Sequence, residues 1–214
     1  PLHVLTYVLP RIFWWRRLLL FWAKSQAQAD NSVFQFLKLP ISSHATALGG
    51  ENISIIEDDL TMATNNPALL SCVADKTLNL NYMLYIEGTN VASAAFSHIA
   101  GERSTWAVTA QYVNYGSMKE TTPENIVTGT FPAKDMAFSR IYSYDFSDYW
   151  SGGVKTNLIY SNYDKFSSFA IGVDLGLNYY HQDKDFSFSL VARNLGGQIV
   201  AFEDKPAKLP IDVQ

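Results

Sequence analysis

The chain has 214 residues and a formal charge of −4, with 48 % apolar, 14 % aromatic and only 17 % charged residues. Globular proteins carry about 25 % charged residues, so charge is scarce here. Apolar content this high with so little charge excludes intrinsic disorder, and a pI near 5.5 excludes a basic nucleic-acid binder. The single cysteine, Cys72, excludes a disulfide framework and a cysteine-built zinc site. What remains is an aromatic-rich β-protein, either a membrane barrel or a soluble sandwich.

Residues 1–29 differ from the rest. Arg16-Arg17 precedes the apolar run Leu18-Leu19-Leu20-Phe21-Trp22-Ala23, and Ser25-Gln26-Ala27-Gln28-Ala29 follows. A basic stretch, an apolar stretch and a small-x-small site are the parts of a secretory signal peptide, with cleavage expected after Ala29 and a mature start at Asp30. The competing reading is one membrane helix over residues 2–23, but Pro10 and the arginine pair interrupt the ~20 apolar residues a span needs.

Residues 30–76 are expected to form a head or plug segment without alternation. It holds Phe34, Phe36, Leu37 and Leu39, then Ala45-Thr46-Ala47, Gly49-Gly50, Glu57-Asp58-Asp59 and Asn66-Pro67-Ala68. Pro67 at a first helical turn, capped by Asn66, predicts a short helix starting near residue 67.

From residue 77 to 214 the period becomes two, the mark of strands. Leu78, Leu80, Tyr82 and Leu84 share one face. Residues 91–98 return as a strand of small side chains, and Trp106, Val108, Ala110 and Tyr112 alternate next. Phe138, Tyr142, Tyr144 and Phe146 follow, with Arg140 intruding on their face; then Val154, Thr156, Leu158 and Tyr160. Phe169 through Tyr179 alternates most clearly, and Phe186, Phe188, Leu190 and Ala192 come last. These runs predict seven strands, with an eighth at 197–202, and residues 116–136 form the longest gap, a candidate partner-binding loop.

A strand of ten residues rises ~33 Å, and a tilt of ~40° leaves ~25 Å, the height of the apolar band on an outer-membrane barrel. Tyrosines cluster at the strand ends, where interfacial girdles lie. The predicted class is therefore all-β, an antiparallel transmembrane β-barrel, with a secreted sandwich having one wet face as the alternative.

Phe36-Leu37-Lys38-Leu39-Pro40-Ile41-Ser42-Ser43-His44-Ala45-Thr46-Ala47-Leu48-Gly49-Gly50, then Asp58-Asp59 and Asn66-Pro67-Ala68-Leu69, resembles the N-terminal signature of the PorV/PorQ family of outer-membrane proteins, within the wider superfamily of long-chain fatty acid transporters such as FadL. Tyr112-Val113-Asn114-Tyr115-Gly116, Gly129-Thr130-Phe131, Asp174-Leu175-Gly176-Leu177-Asn178-Tyr179, Arg193-Asn194-Leu195-Gly196-Gly197-Gln198 and Leu209-Pro210 continue the likeness in order. The resemblance implies a barrel of about fourteen strands, of which this chain would supply roughly half, so a fragment of a longer protein is expected. It further implies outer-membrane lipid as surroundings, a role in the type IX secretion system of Bacteroidetes, and partners such as PorZ, PorU and PorV.

No catalytic, cofactor or metal residue is expected. The four histidines, His3, His44, His98 and His181, lack metal-site spacing. Ser97-His98 are adjacent, and adjacent strand residues point to opposite faces, which argues against a dyad. His44 suits a hydrogen-bonding role in the head, and Glu57-Asp58-Asp59 a capping or solvating one. Cys72 reads as a buried small hydrophobe. Lys155, Asp174 and Arg193 fall on the less apolar faces of three successive strands and predict a bracing charge network; a solute site there finds no support in the spacing.

Overall fold

Strict alternation in the chain produces one continuous antiparallel sheet. The structure is a computed structural model and describes residues 33–85, 88–123, 126–164, 166–201 and 208–214; the signal-peptide-like residues 1–29 lie outside these. Eight strands follow in chain order: β1 Leu78–Leu84, β2 Asn90–Gly101, β3 Ser104–Thr121, β4 Val127–Asp145, β5 Trp150–Tyr163, β6 Phe166–His181, β7 Phe186–Val200 and β8 Asp212–Val213. Each pairs with its sequence neighbour, so sheet order equals chain order. Among the described residues, β1 and β8 each pair on one side only. No described helix is long and apolar enough to cross a membrane.

The seven alternating runs each overlap one of β1–β7, in order. Two expectations are corrected. Residues 116–136 are not a long loop: β3 and β4 stay paired from Ser117↔Pro132 to Glu120↔Gly129, past a bulge between Asn114 and Ser117. Side chains on this arm are mostly exposed on both faces, so neither face of it is packed. Nor does an eighth strand start at 197. Gly196 is a point of close backbone contact inside β7, where a Cβ would lie 2.0 Å from the Ile171 carbonyl oxygen. The chain runs through to Val200, and the eighth strand is the two-residue β8.

The head segment lies against one face of the sheet, called here the inner face. It is built from short turns: a 3-10 turn Gln35–Lys38, helix α1 Ser43–Ala47, helix α2 Met62–Asn65 and a 3-10 turn Pro67–Cys72. Ser42 caps α1 by accepting from the Ala45 amide at 3.0 Å. Asn66 caps the last turn in the same way through the Ala68 amide at 3.0 Å, as the sequence leads one to expect, although that turn is 3-10 rather than α. Cys72 is only half-buried, contrary to its expected burial, and burial pushes its thiol pKa up.

Two apolar clusters hold the head down. Phe34, Phe36 and Leu209 meet Val91, Val113, Ala137, Ile159 and Ala170; Leu60, Ala63, Leu70 and Val73 meet Ala95, Ala107 and Ile141. Burying each large side chain contributes about 1.5–3 kcal/mol. Between the clusters the backbone itself docks. Gly153 and Gly176 are paired across β5 and β6, and the Asn66-Pro67-Ala68 backbone rests on them. A Cβ at Gly153 would sit 2.3 Å from the Pro67 carbonyl carbon, and one at Gly176 would sit 2.2 Å from Asn66 Oδ1.

That notch yields a prediction. Gly176→Ala should destabilise the protein by about 1–3 kcal/mol, the cost of overpacking a filled site, and make the head more sensitive to protease. Gly197→Ala, where a Cβ meets nothing within 4 Å, should change neither. Equal denaturation midpoints for the two variants would show that the head does not rest on the notch.

Candidate functional site

The inner face gathers the polar residues of the strands beneath the head. Lys155 Nζ lies 3.2 Å from Asp174 Oδ2 and donates to the Thr64 carbonyl at 3.0 Å. The same carboxylate accepts from Asn157 Nδ2 at 3.0 Å and from the Asn194 amide at 2.6 Å. Ser139 Oγ in turn donates to Asn157 Oδ1 at 2.7 Å. Asp174 is 2 % exposed, so these donors replace the water it gave up. Removing one partner of such a buried pair costs about 3–5 kcal/mol.

The expected grouping of Lys155, Asp174 and Arg193 holds in part. Arg193 pairs instead with Glu51 at 3.2 Å and with Asp212 at 2.5 Å. A bulge explains this, because the register shifts between Val173 and Leu175 on β6 while Arg193 stays opposite Asp212 on β8. Head, sheet and the segment 208–214 are thereby joined by charge, and Asn194 Nδ2 adds a hydrogen bond to the Pro210 carbonyl at 2.9 Å.

A second buried carboxylate, Asp135, has no role in the sequence pattern because the expected loop 116–136 covers it. It is 1 % exposed and accepts from Tyr115 OH at 2.6 Å, Tyr163 OH at 2.8 Å and the Ser161 hydroxyl. Such charge-assisted bonds are roughly twice as strong as neutral ones. Continuing the parity of Ala137, Ser139 and Ile141 two residues back places Asp135 on the inner face, and that signal was available in the sequence.

Two cavities border the head. A polar one of about 40 Å³ lies between head and sheet, lined by Glu51, Thr64, Gln111, Asn157, Asp174 and Arg193. It has room for a few water molecules. A larger opening of about 750 Å³ lies by the first head turn, lined by Phe36, Leu39, Tyr85, Tyr115, Met118 and Lys119.

The outer face has the opposite chemistry. Leu80 is 69 % exposed, Leu84 75 % and Phe188 54 %, and Phe138, Leu158, Ile171 and Leu175 are exposed with them. Cross-strand register aligns Tyr82, Tyr112, Met136, Tyr160 and Phe169 into one row. Toward the other end, Trp150 and Tyr179 meet at a tilt of 58° with centroids 5.0 Å apart, and Tyr144 meets Phe146 edge-on at 5.8 Å.

Ser97 and His98 face apart. Ser97 is fully buried and donates to the Ala74 carbonyl at 3.3 Å, while His98 Nδ1 meets Asp75 at 2.8 Å. In the head, His44 Nδ1 lies 2.7 Å from Asp59 Oδ2 and its Nε2 3.4 Å from Glu57. Asp59 Oδ1 accepts from the Thr61 hydroxyl at 2.7 Å, and Asp58 accepts from the Ala74 amide at 2.7 Å. The acidic run thus pins the loop to its neighbours, the capping role expected of it. Among the described residues, no group of three or more His, Cys, Asp and Glu is arranged to hold a metal. Compared with family models and with curated proteins, the chain matches none.

The His44 contact makes the head sensitive to pH. The Asp59 hydrogen bond, only partly opposed by desolvation, raises His44 above its ordinary 6.5. Burial pushes the Asp59 carboxyl up, but bonds from His44 and Thr61 outweigh it and leave it below the ordinary 3.8. The His44 contribution to stability is therefore complete below pH 6.5 and is lost as pH rises through its raised value. The Asp59 contribution is complete above pH 3.8 and is lost as pH falls through its lowered value. An NMR titration should place His44 above a free histidine, and Asp59→Asn should return it toward 6.5. An unshifted His44 in the unaltered chain would rule the contact out.

Proposed function

We propose that this chain is a PorQ-like, non-enzymatic component of the type IX secretion system, an outer-membrane β-barrel that helps attach or anchor secreted cargo at the cell surface. The observation that carries the membrane part is the inverted polarity of the sheet: large apolar side chains stand exposed on the outer face, while Ser, Asn, Asp and Arg are buried under the head and Lys155 is half-buried there. Water-soluble monomers rarely expose apolar patches above a few hundred Å². Lipid favours this arrangement and also demands that strand edges be paired, which further strands beyond those described would supply. The secretion role rests on the ordered motif resemblance from the head to Leu209-Pro210.

The mechanism is display. The embedded strands hold the paired β3–β4 arm, whose Lys119 and Glu120 are exposed, where a partner such as PorZ, PorU or PorV can reach it, and the sheet itself makes and breaks no bond. A FadL-like channel for hydrophobic solutes is the second reading, favoured by the 750 Å³ opening against Phe36, Leu39 and Tyr115. In that case the head plugs the passage and forms part of the binding pocket.

Deleting the gene separates the two. The secretion reading predicts loss of surface-attached cargo with normal uptake of long-chain fatty acids. Loss of uptake with cargo still attached would overturn it in favour of the channel.

A further inference from the structure

We infer that the outer face around Arg140 is a docking surface for a second membrane protein, one that brings a carboxylate to the guanidinium; this rests on the membrane reading above. Arg140 lies on β4 between Phe138 and Tyr142, with Val108 and Thr156 beside it on β3 and β5. It is exposed, and its guanidinium has no hydrogen-bond or ion-pair partner among the described residues.

Its depth is what makes the missing partner costly. Arg140 is four residues from Met136 in one aromatic-rich row and four from Tyr144 at the other, ~14 Å along the strand each way and ~10 Å in depth at a 40° tilt. An arginine facing lipid at the midplane of such a band is strongly disfavoured. Among the described residues, the other side chain of this face between those rows that can carry a positive charge, His98, is already held by Asp75 at 2.8 Å.

A groove of about 490 Å³ lies on the same face and ends at Phe138, the next outward-facing residue of β4 before Arg140. Ala92 and Ala94 on β2 and Ala110 on β3 form its floor, and Met136, Phe138 and Leu158 its wall. Small side chains of this kind let another backbone approach closely inside a bilayer. Lipid tails would fill the groove, but their phosphates lie at the bilayer surface, out of reach of Arg140. A second copy of this chain is also a poor occupant. A facing copy would set one Arg140 against another, and the carboxylate it would bring nearest this band, Asp75, is already held by His98 at 2.8 Å. Charge complementarity therefore selects a different protein, with an apolar face and an Asp or Glu at mid-depth.

The test uses the full chain in its native envelope, with the photocrosslinker benzoylphenylalanine replacing Ala110, and carbonate extraction run in parallel. The expected result is an adduct with one other membrane protein whose crosslinked peptide carries an Asp or Glu. Arg140→Glu and the charge-free Arg140→Leu should each lower its yield at least tenfold while the chain stays carbonate-resistant. Arg140→Lys should keep it, and exchanging the partner's acid for Arg should restore the Arg140→Glu yield. Adducts with lipid alone, with a second copy, or with a peptide lacking an acid would overturn the docking inference, as would a yield indifferent to Arg140. Release of the unaltered chain by carbonate would overturn the membrane reading and the inference with it.

Discussion

Every other feature of this fold depends on which way the side chains of one sheet point. Alternation gives each strand two faces, and in water the larger apolar face turns toward the packed side. Here Leu80, Phe138, Leu158 and Leu175 point away from the packed side, and Ala107, Ser139, Asn157 and Asp174 point into it. The hydrophobic effect alone would reverse that sheet. The arrangement is favourable where the medium outside is itself apolar, and then the inner face must be held by means other than a thick apolar core.

The head segment meets that requirement by three kinds of contact. Apolar anchors are few, chiefly Phe34, Phe36, Leu60 and Leu70, and they land on small strand residues such as Ala95 and Ala137. Backbone contact comes next, with Asn66-Pro67-Ala68 lying on the paired glycines 153 and 176. Polar bonds complete it: Lys155 reaches the Thr64 carbonyl, and Arg193 bridges Glu51 and Asp212. Buried charges are costly unless partnered, and each of these has an opposite charge beside it. The same bonds that satisfy the inner face thus fix the head and the segment 208–214 in place.

Much of this was legible in the residues. The parity of Leu78–Leu84 and of Phe169–Tyr179 survives in β1 and β6, and the Asn66 cap before Pro67 is visible as a motif. The β3–β4 arm was not, because Met118 stands alone among Ser117, Lys119, Glu120 and Thr121, and Gly129 and Pro132 imitate a loop. Gly196-Gly197 imitates a turn, yet Gly196 is there to let the Ile171 carbonyl approach. Of the inner network, alternation gives the face of Lys155 and Asp174, but the partners Glu51, Thr64 and Asp212 come from segments with no period at all. Arg140 stood out as a break in an apolar face, and the structure adds that its guanidinium has no partner among the described residues.

The central claim is that the outer face meets lipid. It is tested most directly on β6, in a chain carrying Cys72→Ser and reconstituted in bilayers, with spin labels at positions 171, 173 and 175 and a reference label at Asp148 in the β4–β5 turn. Collision with oxygen should be high at the three strand positions and collision with a water-soluble nickel chelate low, with the reverse at 148. A nickel chelate that reaches 171, 173 and 175 as readily as 148 would contradict the account.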